Sequence, residues 1–482
     1  MGLYLLILNI ILVHFPDHFN DKHIIYLDAM SKHKSRREFL GDATALGLMG
    51  ALGAGYVLSS CSDTRTTFEA PVFFDKAPDG PILRAGLIGC GSRGTGAAIN
   101  FLNAGPNLQI TALGDVFQHR LDRCRSLLKE QAGVEVADQN CFIGFDAYEK
   151  VIQSDVDVIL HVTPQHFRPL HFVAAVKASK HVFIEKPAGV DPVGVRSVMA
   201  AAKMAEAARL TVVAGTNFRH QRDYLTTYNM VKSGIIGDLV SANAYDIRGK
   251  IWHVNRQQGW SDMEAMLRDW MNWYWLSGGD NVDIAVHQID MVSMYFGKFP
   301  VKAIGFGGRH QRLTGNVYDF YSVEYTFDDG KTFECKTRCI DGCDTKHGFM
   351  IYGTKGYTNC QNKIFDYDHN LLWEYQYPLD ETGRSTGRVA ISSYDEEMIN
   401  FVTSIRNNSR LNQAGNLAAA TLVGIMGRES AITGKEVSWD DMMNSNAQMK
   451  PDTYAMGPVS GLDLSIPAPG LVPNTERSRR DG

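Results

Sequence analysis

Residues 82–94 read Ile-Leu-Arg-Ala-Gly-Leu-Ile-Gly-Cys-Gly-Ser-Arg-Gly, and this stretch decides the fold of the chain. Its apolar part, Leu83 to Ile88, predicts a buried strand that runs into a turn of the form G-x-G-x-x-G. A helix-compatible run, Thr95 to Leu102, follows at once. Because this order of elements places a pyrophosphate at the N-terminus of the helix, the stretch predicts a dinucleotide-binding unit.

Each glycine of the turn has its own expected task. Gly89 permits the tight turn, Gly91 lets the backbone approach the phosphates, and Gly94 lets the helix pack on the strand. The residues expected to contact the cofactor here are Gly89, Gly91, Ser92, Arg93 and Gly94.

An acidic residue after the second predicted strand indicates which dinucleotide is bound. The strand Leu108 to Leu113 leads to Asp115, 21 positions after Gly94. A carboxylate at about this distance hydrogen-bonds the ribose hydroxyls and repels a 2′-phosphate, which favours NAD. Arg93 and Arg120 would offset the charge of Asp115, so NADP remains an alternative.

Length and composition limit the possible classes of protein. A chain of 482 residues is long for one domain and suggests two. It is 44% hydrophobic and 21% charged, with a net charge of −5, so no basic surplus indicates a nucleic-acid partner. Cys335, Cys339 and Cys343 lack a partner His or Cys pair at zinc-ligand spacing. We therefore predict ordinary thiols, with one bridge left open, and no metal.

The N-terminal region is expected to direct export. Residues 35–40, Ser-Arg-Arg-Glu-Phe-Leu, resemble the twin-arginine signal, and residues 58–61, Leu-Ser-Ser-Cys, resemble a lipobox. We expect cleavage before Cys61, lipid attachment there and a periplasmic, membrane-anchored protein. The alternative is a short membrane helix that stays attached. Met30 is an alternative start to Met1.

The order of predicted elements separates two domains. From Ile82, strands alternate with helices, which predicts an α/β Rossmann domain with a doubly wound parallel sheet. Later strands joined by turns predict an α+β domain with a large, mostly antiparallel open sheet covered on one side by helices. The predicted segments are a signal region 1–61, a linker 62–81, a nucleotide domain 82–217, a substrate and oligomerisation domain 218–450, and a C-terminal tail 451–482.

Two motifs carry a resemblance to a known family. The first is Thr163-Pro164 followed by six residues and then His171, and the second is residues 180–188, Lys-His-Val-Phe-Ile-Glu-Lys-Pro-Ala. Together they resemble the Gfo/Idh/MocA oxidoreductases, and the resemblance extends over about 82–442. It implies a nicotinamide cofactor, a sugar or cyclic polyol substrate and a homo-oligomer. Because such a cofactor is not freely available outside the cytoplasm, the expected export implies that it is tightly held. The cofactor contacts that it implies are Thr163, Pro164, His166, Glu185 and Lys186.

A carboxylate and an imidazole lie four residues apart beside a glycine pair. On one helix Asp283 and His287 would share a face, so Asp283 could orient an imidazole that takes a hydroxyl proton. The family carries the same D-x3-H pattern at this point, and Lys186 would polarise the substrate oxygen. Lys186, Asp283 and His287 are therefore the predicted catalytic residues.

Five further residues are expected to face the substrate. Aromatic rings stack on sugars and arginines bind hydroxyls or carboxylates, which makes Arg268, Trp270 and Trp273 candidates. Arg219 and His220 follow the last strand of the nucleotide domain and face the expected cleft.

The sequence thus predicts an NAD(P)-dependent oxidoreductase acting on CH–OH groups. One alternative is a redox-neutral glycosidase in which bound NAD oxidises a sugar carbon transiently. Family relatives of that type carry a different motif around the active-site histidine from residues 286–290 of this chain, Val-His-Gln-Ile-Asp. This difference counts against the glycosidase. The other alternative is a non-catalytic carbohydrate-binding lipoprotein, which would have no reason to retain the three catalytic residues.

Overall fold

The computed structural model describes residues 71–470. The predicted export signal and Cys61 lie outside the described residues. Within residues 71–470, no helix is both long enough and apolar enough to cross a membrane.

The nucleotide domain is a six-stranded parallel sheet in the order β3-β2-β1-β4-β5-β6. Its strands are β1 Leu83–Ile88, β2 Leu108–Asp115, β3 Cys141–Ile143, β4 Val158–His161, β5 His181–Ile184 and β6 Val212–Ala214. The helices are α1 Ser92–Asn103, α2 Gln118–Ala132, α3 Ala147–Gln153, α4 Arg168–Lys177 and α5 Pro192–Ala207. The predicted doubly wound parallel sheet is confirmed, and its loops after β1, β4 and β5 meet at one edge.

The second sheet has nine strands in the order β14-β13-β12-β11-β7-β10-β9-β8-β15. They are β7 Leu239–Arg248, β8 Lys302–Gly308, β9 Phe320–Thr326, β10 Thr332–Cys339, β11 Lys346–Gly353, β12 Gly356–Thr358, β13 Lys363–Asp366, β14 Leu371–Glu374 and β15 Val437–Ser438. Within this second sheet, as the structure describes it, only β7 and β10 pair in parallel. The predicted mostly antiparallel sheet is therefore confirmed.

The helices of the second half lie between the two sheets and around them. They are α6 Arg222–Lys232, α7 Asp262–Arg268, α8 Tyr274–Ser277, α9 Asp280–Asp283, α10 Val286–Phe296, α11 Ser393–Arg406, α12 Ala414–Thr433 and α13 Trp439–Asn444. Helix α11 returns to the first domain, because Met398, Phe401 and Val402 lie in the same hydrophobic core as Leu87. A single domain boundary at residue 217 therefore leaves α11 in the second domain, although α11 packs in the core of the first.

Both ends of the described chain pack on the body of the protein. Arg222 pairs with Asp75 at 2.8 Å, so the last part of the predicted linker is held against α6. At the other end, the Tyr454 hydroxyl lies 2.8 Å from Nε2 of His166, and Leu462 packs in an apolar cluster. The part of the C-terminal tail before residue 471 therefore lies against its own chain.

Candidate active site

A cleft of about 850 Å³ lies at the carboxyl edge of the parallel sheet and extends to the second domain. Residues from the loops after β1, β2, β4 and β5 form its first wall. Trp252 and Val254 before α7, the end of α7 itself, Trp270 after it and Asp283 complete the lining. The predicted site residues that line it are Gly89, Gly91, Ser92, Arg93, Gly94, Asp115, Thr163, Pro164, Glu185, Lys186, Arg268, Trp270 and Asp283.

The glycine turn is shaped to receive a phosphate group. Gly89 has φ +98°, and a Cβ there would lie 2.6 Å from the carbonyl oxygen of Val162. A Cβ at Gly94 would lie 1.8 Å from the carbonyl oxygen of Gly89. Gly91 precedes the first turn of α1, and a Cβ there would meet no protein atom within 4 Å. The space over Gly91 thus fits the pyrophosphate of a dinucleotide.

Asp115 connects the second strand to the glycine turn. Its Oδ2 accepts a hydrogen bond from the Cys90 amide at 2.7 Å, and its Oδ1 accepts one from the Phe117 amide at 2.9 Å. Burial raises the pKa of Asp115, whereas those two bonds and the charge of Arg120 oppose that rise. Asp115 is placed in the cleft wall, and its binding to ribose stays a prediction.

Arg93 has partners that the sequence did not indicate. Its Nε pairs with Glu185 at 2.5 Å and its Nη2 pairs with Glu397 at 2.6 Å, while its guanidinium lies 4.6 Å from the centre of the Tyr394 ring. Burial raises the pKa of Glu185, but the charges of Arg93, Arg168 and Lys186 outweigh it and the net shift is downward. Arg93 is therefore engaged by two carboxylates, which pair its charge within the protein.

Lys186 is fixed at the far end of the cleft. Its Nζ donates to the backbone oxygen of Asp283 at 2.7 Å and lies 3.4 Å from Asp283 Oδ1. The side-chain amide of Gln165 donates to the same Oδ1. Glu185 Oε2 accepts from the Lys186 backbone amide at 2.9 Å. These contacts bring Lys186 and Asp283 together as an ion pair that faces the cleft.

Asp283 and His287 do not lie on one continuous helix. Helix α9 ends at Asp283 and α10 begins at Val286, and the Ala285 amide bonds Asp280 five residues earlier at 3.1 Å. This wide turn rotates the two side chains relative to each other. Among the described residues we find no hydrogen bond between Asp283 and His287, so the expected orienting contact is not present.

His287 lies close to the site but does not line the cleft. Its ring is 5.3 Å from that of Phe218, and its buried Nδ1 has no hydrogen-bond partner among residues 71–470. Burial lowers the pKa of His287 well below its usual value, and the nearby charges of Lys186, His347 and Arg248 lower it further. Both effects favour the neutral form of the imidazole.

The predicted substrate residues divide into two sets. Arg268 and Trp270 line the cleft, and the Arg268 guanidinium lies over the Trp260 ring at 4.6 Å. Trp273 instead packs against the apolar cluster beside the cleft. Arg219 pairs with the buried Asp290 at 2.5 Å.

Two predicted histidines have partners away from the cleft. His220 is buried, and its ring lies 3.3 Å from Gln413 Oε1 and 3.0 Å from Asn400 Nδ2. His166 contacts Tyr454 in the C-terminal segment. The three spaced cysteines are free thiols. In the described part of the chain, no three His, Cys, Asp or Glu side chains are grouped as metal ligands would be.

Several cleft residues were not predicted. Examples are Phe117, Tyr148, Gln165, Arg168, Trp252 and Val254. Gln165 and Arg168 lie within the first family motif, which draws attention to that loop. No local pattern distinguishes Trp252 from its neighbouring tryptophans, because its position depends on how the second domain covers the first.

A parallel sheet with a glycine cradle, followed in the chain by a mixed nine-stranded sheet, is the architecture expected of an NAD-binding oxidoreductase fold. A family model described as an oxidoreductase family with an NAD-binding Rossmann fold matches residues 83–214. The model of the GFO/IDH/MocA C-terminal domain matches residues 224–359. The chain belongs to the Gfo/Idh/MocA oxidoreductase family.

The sequence identity between this chain and individual relatives is low. A glycosyl hydrolase family 109 protein of Shewanella amazonensis is 27% identical over 216 residues, which cover 43% of this chain and 46% of that protein. The chain thus spans about half the length of this relative. A myo-inositol 2-dehydrogenase of Lactobacillus plantarum is 19% identical, with a TM-score of 0.55, 74% of this chain covered and 99% of that one. A scyllo-inositol dehydrogenase of Lactobacillus casei, solved with NAD(H) and scyllo-inositol, is 20% identical, with a TM-score of 0.54 and the same coverage. These two structures share the fold.

Proposed function

We propose that this protein transfers hydride between a hydroxyl of a sugar or cyclic polyol and a tightly bound NAD. One observation carries the proposal: a single cleft joins the glycine turn to the Lys186–Asp283 pair. A dinucleotide held at the turn would have room to extend along this cleft toward the pair. The likeness to inositol dehydrogenases supports a polyol or sugar as the substrate class.

The side chains of the cleft have separate proposed tasks. Lys186 donates a hydrogen bond to the reacting oxygen and stabilises the negative charge that develops there. Asp283 holds Lys186 in place, and the neutral His287 accepts the hydroxyl proton. When bound, NAD supplies the hydride acceptor. Trp252 and Trp270 offer aromatic faces to the substrate ring.

The first test is to identify any nucleotide carried by the purified protein. The mature protein is denatured, and the released nucleotide is measured by absorbance and mass. We expect NAD(H) at about one per chain. Inositols and sugars are then added singly and in pairs, because a bound cofactor that cannot leave must be reduced and re-oxidised on the enzyme. Absence of nucleotide, with no binding on addition, would contradict the proposal.

A second candidate is a redox-neutral glycosidase. The glycosyl hydrolase family 109 relative favours it, although it matches only about half of that protein. In this reaction the sugar is oxidised and reduced again, so an aryl glycoside would release free sugar and phenol without net NADH. Phenol release that depends on Lys186 would select this reaction over net polyol oxidation.

We also propose that the protein is exported and lipid-anchored at Cys61. The support is the twin-arginine and lipobox pattern of residues 35–61. Cells fed an alkyne-tagged fatty acid should label the wild type and not Cys61→Ala. Equal labelling of both would contradict the anchor.

A homo-oligomer is proposed as well. The uncovered face of the nine-stranded sheet presents Ile304 and Phe306, 52% and 67% exposed. Buried apolar area drives association, so this face suits a second copy. Phe306→Asp should lower the mass measured by light scattering, whereas Leu313→Asp on an exposed loop should not. An unchanged mass for both variants would exclude this face.

A further inference from the structure

The Asp283 carboxylate receives donors from two separate loops. Gln165 reaches Oδ1 from the loop after β4, and Lys186 reaches it from the loop after β5. The position of the carboxylate and of the lysine therefore depends on the spacing between these loops. A small change in that spacing would separate Lys186 from Asp283.

One guanidinium bridges the same two loops. Arg168 Nε donates to the Thr163 carbonyl oxygen at 3.0 Å, and Arg168 Nη1 donates to the Pro187 carbonyl oxygen at 2.8 Å. Thr163 is two residues before Gln165, and Pro187 directly follows Lys186. Because guanidinium is planar and rigid, both bonds together fix the distance between the loops.

The burial of Arg168 is costly without such a role. Arg168 is only 5% exposed, and its guanidinium hydrogen-bonds two carbonyl oxygens, those of Thr163 and Pro187. Burial lowers the pKa of Arg168 to about 10, although Glu185 and Asp283 oppose the shift. A buried charge whose partners are carbonyl groups is expensive to maintain. A neutral apolar side chain would fill the space at less cost but could form neither bond.

We propose that Arg168 is a positioning residue that sets Lys186 and Asp283 by tying the loop after β4 to the loop after β5. Its side chain also borders the cleft, but the two bonds that carry the inference are to backbone oxygens of the loops. The inference rests on the proposed function only for its kinetic test.

The kinetic test compares Arg168→Ala, Arg168→Lys and a control, Arg196→Ala. Arg196 also donates to a carbonyl, that of Met442 at 3.0 Å, but does not line the cleft. We expect kcat to fall by about 10- to 100-fold in both Arg168 variants, with KM and NAD content within about threefold of the wild type. Added guanidinium ion should raise the kcat of Arg168→Ala by at least about tenfold. The kcat of the control should stay near that of the wild type.

A second measurement does not depend on turnover. Amide hydrogen exchange should rise together at residues 165–167 and at Lys186 and Ala188 of Arg168→Ala, and remain unchanged in Arg196→Ala. If the wild type oxidises no sugar, the proposed function fails and exchange alone decides the role of Arg168. Unchanged exchange in both loops would overturn the inference. So would an unaffected kcat, or a loss of activity that follows NAD loss and is not rescued.

Discussion

Replacing the glycines of the turn one at a time separates folding from cofactor binding. At Gly94 a Cβ would lie 1.8 Å from the backbone oxygen of Gly89, whereas real Cβ contacts essentially never fall below 3.0 Å. Helix α1 would have to move away from β1 by about 1 Å. Overpacking of this kind costs about 1–3 kcal/mol, and here the obstacle is backbone, so we expect Gly94→Ala to lose at least about 3 kcal/mol of unfolding free energy.

Gly91→Ala should behave in the opposite way. Its φ of −69° suits alanine, and the new Cβ would meet no protein atom within 4 Å. Its only cost to folding is a poorer helix N-cap, about 1 kcal/mol or less. The methyl group would enter the space assigned to the pyrophosphate. We therefore expect NAD affinity to fall by about 10- to 100-fold, which corresponds to about 1.4–2.8 kcal/mol.

Urea unfolding and titration of nucleotide-free protein with NADH would measure the two effects. Gly415→Ala is the matched control, since Gly415 lies on α12, is not part of the cleft and has open space around it. If Gly91→Ala bound NADH as tightly as this control, the pyrophosphate would not lie over the turn. If Gly94→Ala were as stable as the wild type, the described packing of α1 on β1 would be wrong.

Three more predictions test the site. Lys186→Met should lower kcat by about 10²- to 10³-fold while NAD stays bound, and full activity in a substrate assay would contradict its role. Because the pKa of His287 is depressed, its neutral form persists as the pH falls below the usual histidine range. The acid limb of kcat/KM against pH should therefore lie below pH 6.5, the ordinary value, and a midpoint above 7 would contradict His287 as the base. Arg93→Met would leave Glu185 and Glu397 buried without their cation, so we expect the free energy of unfolding in urea to fall by about 3–5 kcal/mol. A fall of less than about 1 kcal/mol would show that the two glutamates do not need the Arg93 charge.

Much of the fold could be predicted because its signals are local. The helix predicted from Thr95 to Leu102 extends over Ser92–Asn103, and the strand predicted from Leu108 extends to Asp115. These ends differ by a few residues because capping depends on neighbouring elements. The short helices α7 and α8 were not predicted, since a tryptophan-rich stretch has no clear helical period.

The candidate site could be predicted in composition and less well in its contacts. Lys186 and Asp283 were both singled out, but Asp283 was expected to orient His287 and instead pairs with Lys186. A spacing of four residues implies one helix face only where the helix is continuous, and the wide turn at Ala285 interrupts it. His220 was expected near the substrate, but its burial against Gln413 could not be inferred from its position after β6.

The sequence by itself determined the glycine turn, the parallel sheet and the family. Glycine tolerates a positive φ because it lacks a Cβ, and an apolar run predicts a buried strand. Both depend on residue type, so they can be recognised along the chain. Only the tertiary structure decided which charges meet. Arg93 pairs with Glu397, 304 residues further along, and Arg168 joins two loops that follow different strands. Such partners are set by the packing of whole elements, because the energy of a buried charge depends on what surrounds it in space and not on its neighbours in the chain.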